Sequence, residues 1–233
     1  MSEHTVPAPT LLRGLWFALE QAGLLLNHAV LLYDGGACPT AAGVALLARE
    51  ELGRHAILQD LWAKAATGAP APTRSQLRAL CEDHVQKQRR GMFSSSLRGE
   101  GESAWARLLR SLHTLPYHSR EAAAVRDNVN LARLAKDKRT PDERHATRMR
   151  AFYVDLHDDA NEWSRPTDLD PVLARDTLYD AVNDYSVRRD NLTTPGVREF
   201  VNADLARALD AWGTKPSLPP PKWPRVLDQP AGE

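Results

Sequence analysis

The first 64 residues hold two long apolar stretches, rich in alanine and leucine, joined at "YDGGACPT". Gly35 and Gly36 stop one helix, and Pro39 suits the first turn of the next. The first helix is expected to begin after Thr10, used as its N-cap, and the second to run toward Lys64. Both are too long and too leucine-rich for strands, and β-branched residues are sparse along the whole chain. An all-α architecture follows.

Later punctuation continues the pattern. "TGAPAP" breaks the second helix, and Thr73 can cap a third, "RSQLRALCEDHVQKQRR", ending at Gly91. "GMFSSSLRGEGES" reads as an exposed loop. Helices are expected at 103–113 and from Ser119. "TPDE" at 140–143 is a strong start: a Thr cap, Pro at the first position and Glu in the capping-box position. "AFYVDL" (151–156) reads as an extended connector and not as a sheet. Pro171 and Pro195 open two final helices, about 171–190 and 195–213. The closing segment "KPSLPPPKWPRVLDQPAGE" is too proline-rich for a helix or a central strand. It is expected to be an end without fixed structure, or a strap across the bundle with Trp223 buried. The predicted organisation is one domain of six to eight helices over 1–213, with a Pro-rich tail over 214–233.

Several function classes lose support at this level. Acidic and basic residues number 30 each, so bulk charge gives no hint of a general polyanion binder. Two cysteines, Cys38 and Cys81, make neither a disulfide framework nor a zinc spacing. "MSEHTVPAPT" lacks the features of a secretory leader, and no run of about 18 uncharged apolar residues occurs. A soluble, cytoplasmic protein with no membrane association and no cofactor is expected.

The stretch "LLAREELGRHAIL" (46–58) carries the chemistry. On a helical projection Val44, Leu46, Leu47, Ile57, Leu58, Leu61 and Trp62 share one broad arc. Glu50, Glu51 and Arg54 fall inside that arc, with His55 at its edge. Arg49, Gln59 and Asp60 lie opposite, on the side expected to face water. Charges among apolar residues need partners. One account is an ion-pair network of Glu50 or Glu51 with Arg54, completed by an arginine from another helix. The other is a polar cleft between helices. A metal site is disfavoured, because carboxylate-bridged bundles repeat Glu-x-x-His and no second copy is present.

These residues also carry a resemblance. "LLNHAVLLYDGGACPTAAGVALLAREELGRHAIL" resembles the AbiV-type abortive-infection proteins, in which a Gly-containing turn and a small-residue helix precede Glu-Glu-Leu-Gly-Lys. Glu50, Glu51, Leu52 and Gly53 match, and Arg54 replaces the usual lysine. "DHVQKQ" is similar to the family's His-Lys element, giving His84 and Lys87. "RMRAFYVDL" followed by "WSRP" resembles its Tyr-Val-Asp segment, giving Tyr153, Val154 and Asp155. The three blocks run in order across about residues 20–190. The resemblance implies a helical fold akin to HEPN domains and a role in phage defence. It further implies action on RNA or the translation machinery, a phage product as trigger, and a homodimer.

Many HEPN proteins are ribonucleases with an Arg-x(4–6)-His motif. With 24 arginines and eight histidines the spacing recurs by chance. It occurs at Arg49/His55, Arg78/His84, Arg107/His113, Arg139/His145 and Arg150/His157. Those nucleases usually place a polar residue after the arginine, which Glu50 and Thr140 supply. RNA cleavage without metal needs a base near neutral pKa and a cation for the phosphorane. On these grounds the candidate catalytic residues are Glu51, His55 and His84, with Arg54, Arg78, Lys87 and Arg89 as RNA contacts. Gly53, Tyr153 and Asp155 remain as family-motif positions, and no metal ligand set is expected. The competing function is a non-enzymatic helical module that senses a phage protein or blocks a translation component.

Overall fold

A computed structural model describes residues 4–66, 68–91, 139–156, 162–193 and 218–224. Among them are six α-helices: α1 (Ala8–Asp34), α2 (Cys38–Ala66), α3 (Arg74–Glu82), α4 (His84–Gly91), α5 (Pro141–Phe152) and α6 (Pro171–Thr193). Strands β1 (Asp155–Leu156) and β2 (Trp163–Ser164) form a small antiparallel ribbon, Leu156 facing Trp163. The helices expected at 103–113, from Ser119 and at 195–213, and the serine-rich loop, lie outside the described residues.

α1 and α2 form the spine, turning at Gly36, whose φ of 83° suits glycine. α1 begins earlier than its sequence suggested. Pro7 occupies the N-cap position and Pro9 the first turn, so Thr10 is already helical. Its inner face buries Leu12, Leu15, Leu19, Leu26 and Val30 against Ala41, Ala45, Ala48 and Leu52 of α2. Small residues on α2 let the two backbones approach closely. By length and composition α1 could cross a membrane, yet half of its most apolar stretch is buried within the bundle.

α2 is enclosed, with α1, α4, α5 and α6 all packing on it. This overturns the expectation that Arg49 and Gln59 face water: both are buried. The projection assumed one dry face, whereas α6 covers the other and supplies Asp184, whose Oδ2 lies 3.3 Å from Arg49 Nη2.

Local signals set the remaining starts. Thr73 with Gln76, and Thr140 with Glu143, form complete capping boxes. The expected single helix after Thr73 is broken at Asp83, which is extended (ψ 109°). Its side chain accepts the Gln86 backbone N–H at 2.9 Å, capping a new helix. The break places His84 at the start of α4. "AFYVDL" divides likewise: Ala151 and Phe152 finish α5, and Asp155–Leu156 pair as β1, where no sheet was expected.

Candidate functional site: a buried glutamate hub beneath two histidines

The hub is Glu50, midway along α2, with a side chain 3% exposed. Two later helices bring cations to it. From α4, His84 Nδ1 donates to Oε2 at 2.6 Å and Lys87 Nζ lies 3.5 Å from the same oxygen. From α5, Arg148 Nε lies 3.2 Å from Oε1, an ion pair without hydrogen-bond alignment. Gln88 Nε2 donates to Oε1 at 3.3 Å and to the Leu46 carbonyl at 3.0 Å. A buried carboxylate requires this kind of compensation.

Two glycines allow α4 to come this close. A Cβ on Gly53 would lie 2.8 Å from Lys87 Cα and collide with its carbonyl. A Cβ on Gly91 would press on the carbonyl of Arg49. Arginines then close the carboxyl end of α4, where helix carbonyls lack partners. Arg188 of α6 donates to Arg90 O (3.2 Å) and Gly91 O (3.3 Å), and Arg144 of α5 donates to Gln88 O (3.4 Å). Burial lowers Arg188 to about 10, partly countered by Asp184, so it stays protonated at neutral pH. Burial also holds Asp184 above the usual carboxylate range despite its arginine neighbours.

At the solvent edge of the hub stand two imidazoles. The side chain of His84 is 46% exposed, and its ring centre lies 5.6 Å from that of His145 on α5. Glu50 fixes the proton of neutral His84 on Nδ1, leaving Nε2 as its acceptor. His145 has the opposite tautomer. Arg148 Nη2 can only donate, and at 3.3 Å from His145 Nδ1 it makes that nitrogen the acceptor, so Nε2 carries the proton. Burial, then the charges of Arg148 and His84, hold His145 below the ordinary imidazole range. The edge therefore offers a basic nitrogen, an N–H donor and a guanidinium together.

The candidates expected from sequence are distributed as follows. Glu50, His84 and Lys87 meet at the hub. Glu51 turns away from it to pair with Arg54 at 3.4 Å, and burial raises its carboxyl above the usual range. Both line a groove of about 910 Å³ between α1, α2 and α3, together with Phe17, Arg74, Arg78 and Cys81. Arg78 pairs there with Glu82 on the exposed face of α3. His55 is fully buried, and its Nδ1 donates to the Leu15 carbonyl at 2.8 Å. Burial and the Arg188 charge lower it to about 3, so it is neutral and away from solvent. Arg89 is exposed on α4, and Tyr153 is exposed just past α5. Of Asp155 only the backbone pairing with Ser164 is described.

Three of the Arg-x(4–6)-His pairs lie wholly among the described residues, where Arg49 pairs with Asp184 and Arg78 with Glu82. Arg139 donates to Thr177. Arg107, His113 and His157 lie outside the described residues. Sequence reasoning missed Arg148 and did not select His145. The available signal was the capping box at Thr140, which fixes the phase of α5 and puts the two one turn apart. Among the described residues no group of three His, Cys, Asp or Glu side chains could hold a metal ion.

A helical bundle of this form is HEPN-like. The chain belongs to the AbiV family, whose HEPN_AbiV profile matches residues 10–182. Membership carries an abortive-infection role in phage defence. No curated protein and no solved structure matches the chain significantly.

Proposed function

We propose that the protein aborts phage infection by cleaving RNA at the α4–α5 edge, without a metal. The observation that carries this reading is His84, half-exposed with its Nδ1 bound to buried Glu50. That bond orients the ring and leaves Nε2 to take the proton from a ribose 2′-OH. His145 Nε2–H and Arg148 supply a donor and a charge for the phosphate oxygens as the phosphorane forms, and the 5′-oxygen then leaves with the proton that His84 Nε2 took up, giving a 2′,3′-cyclic phosphate. Exposed Arg89 and Arg150 add positive charge on the same two helices. A phage product is the trigger on this reading. Purified protein incubated with total RNA and a chelator tests it. Cleavage that His84→Ala and His145→Ala abolish in folded protein is expected. Intact RNA at all protein concentrations would leave a non-enzymatic binding module as the better account.

A second copy is proposed against α1. Phe17, Leu24 and Leu31 recur every seven residues and are 55%, 43% and 60% exposed. An antiparallel two-fold contact through Leu24 sets each copy's Glu20 opposite the other's His28, and Arg13 near Asp34. Sedimentation should give a dimer that Leu24→Glu converts to monomer; an unchanged mass would exclude this face.

A further inference from the structure

Leu218–Pro224, neither helix nor strand, meets both α1 and α6. The strap has three anchors. Leu218 is buried in the main core. Tyr185, itself buried on α6, donates its hydroxyl to the Pro219 carbonyl at 2.6 Å. Trp223 packs on Tyr179 of the same helix, ring centres 5.0 Å apart and tilted by 52°. Gly23 of α1 opens the channel: a Cβ there would lie 2.5 Å from Tyr185 Cζ and 2.7 Å from Pro219 Cγ. The expected burial of Trp223 is corrected, since it is 45% exposed and Leu218 is the side chain that enters.

This chemistry is that of polyproline recognition. An extended proline segment loses little entropy on docking and offers bare carbonyls, which a receptor meets with aromatic faces and a hydroxyl or indole donor. Tyr179 and Tyr185 provide both. The strap itself is lightly held, because Pro220, Lys222 and Trp223 are exposed and Leu218 alone is buried. Much of its occupancy derives from tethering, which acts as a high local concentration.

We propose that the α1–α6 channel is a peptide-recognition groove for an extended proline-rich segment of a partner protein, filled in cis by Leu218–Pro224. The partner would present an aliphatic residue, consecutive prolines and then an aromatic residue, the order found in "LPPPKW". Tyr185 and the strap lie beyond the family match over 10–182, whereas Gly23 and Tyr179 lie within it. Helix α6 also holds Arg49 through Asp184 and the carboxyl end of α4 through Arg188.

The test uses full-length protein and a fluorescein-labelled synthetic peptide, LPPPKWP, followed by anisotropy. Leu218→Ser combined with Trp223→Ala loosens the strap; Trp223→Ala alone is a milder version that spares the core. Both variants should bind the peptide saturably, and wild type about tenfold more weakly because its own strap competes. Adding Tyr185→Phe to either variant should weaken binding about tenfold through loss of the carbonyl hydrogen bond. No saturable binding to either loosened variant would overturn the proposal. So would equal binding of a peptide with its prolines replaced by alanine, or indifference to Tyr185→Phe.

Discussion

Gly53→Ala isolates the closest approach in the fold. In an unconstrained helix interior this change stabilises by about 1 kcal/mol. Here the new methyl would stand 2.7 Å from the Lys87 carbonyl carbon, when ordinary contact begins near 3.4 Å. The obstacle is backbone, so α4 must retreat by roughly 0.7 Å, and further to clear the oxygen. That displacement stretches the 2.6 Å His84–Glu50 bond and the 3.5 Å Lys87–Glu50 pair, both made by α4. Weakening hydrogen bonds to a buried charge costs about 1.5–3 kcal/mol each, and overpacking adds about 1–3. After the helix-propensity gain, a net loss of about 3 kcal/mol is expected, or about 6–12 °C in Tm for a chain of this size. Gly14→Ala is the control. Its methyl would meet only the flexible end of Leu58, at 3.2 Å, so Tm should hold or rise slightly. Thermal unfolding followed by circular dichroism gives both numbers. A Gly53→Ala protein as stable as wild type would refute the close packing of α2 on α4.

Glu50→Ala leaves Lys87 and Arg148 as buried cations without their counter-ion, and urea unfolding should show a loss of about 3–5 kcal/mol. Glu51→Gln should behave oppositely. A carboxyl raised by burial is stabilising when protonated and loses that benefit as pH rises through its folded pKa, so the glutamine variant should equal or exceed wild type at pH 7 and match it in acid. His55 gives a second titration. Its pKa is about 3 folded against an ordinary 6.5, so the unfolded chain protonates first and stability falls as pH drops below 6.5. The slope for this one group is about 1.4 kcal/mol per pH unit, and His55→Asn should remove it from the pH dependence of unfolding.

Much of the fold was legible because its signals are local. The turn at Gly35–Gly36, the caps at Thr73 and Thr140 and the proline at 171 all act within a few residues of where they stand. Asp83 was equally local but was hidden inside a charged, helix-compatible run, and only its side-chain bond to Gln86 makes it a boundary. Arg49 was placed on the wrong side because a helical projection cannot count how many neighbours a helix will have. The hub was half legible. Glu50 was recognisable as a charge needing partners, and His84 and Lys87 as companions from the family blocks. Arg148 and His145 join it from almost a hundred residues away, a pairing fixed by packing that no spacing in the sequence encodes. His55 and Glu51 illustrate the converse: a motif position does not say which way a side chain turns.

The most direct test of the central claim is plaque formation during phage challenge, comparing wild type with His84→Ala and His145→Ala at matched soluble expression. Both histidines are at the solvent edge, so both variants should fold; His145→Ala should keep the wild-type Tm, whereas His84→Ala, which removes a hydrogen bond to buried Glu50, should lower it by several degrees. The account predicts that wild type protects and that each variant loses most of that protection. Full protection by both folded variants would contradict it, and would move the function away from the α4–α5 edge.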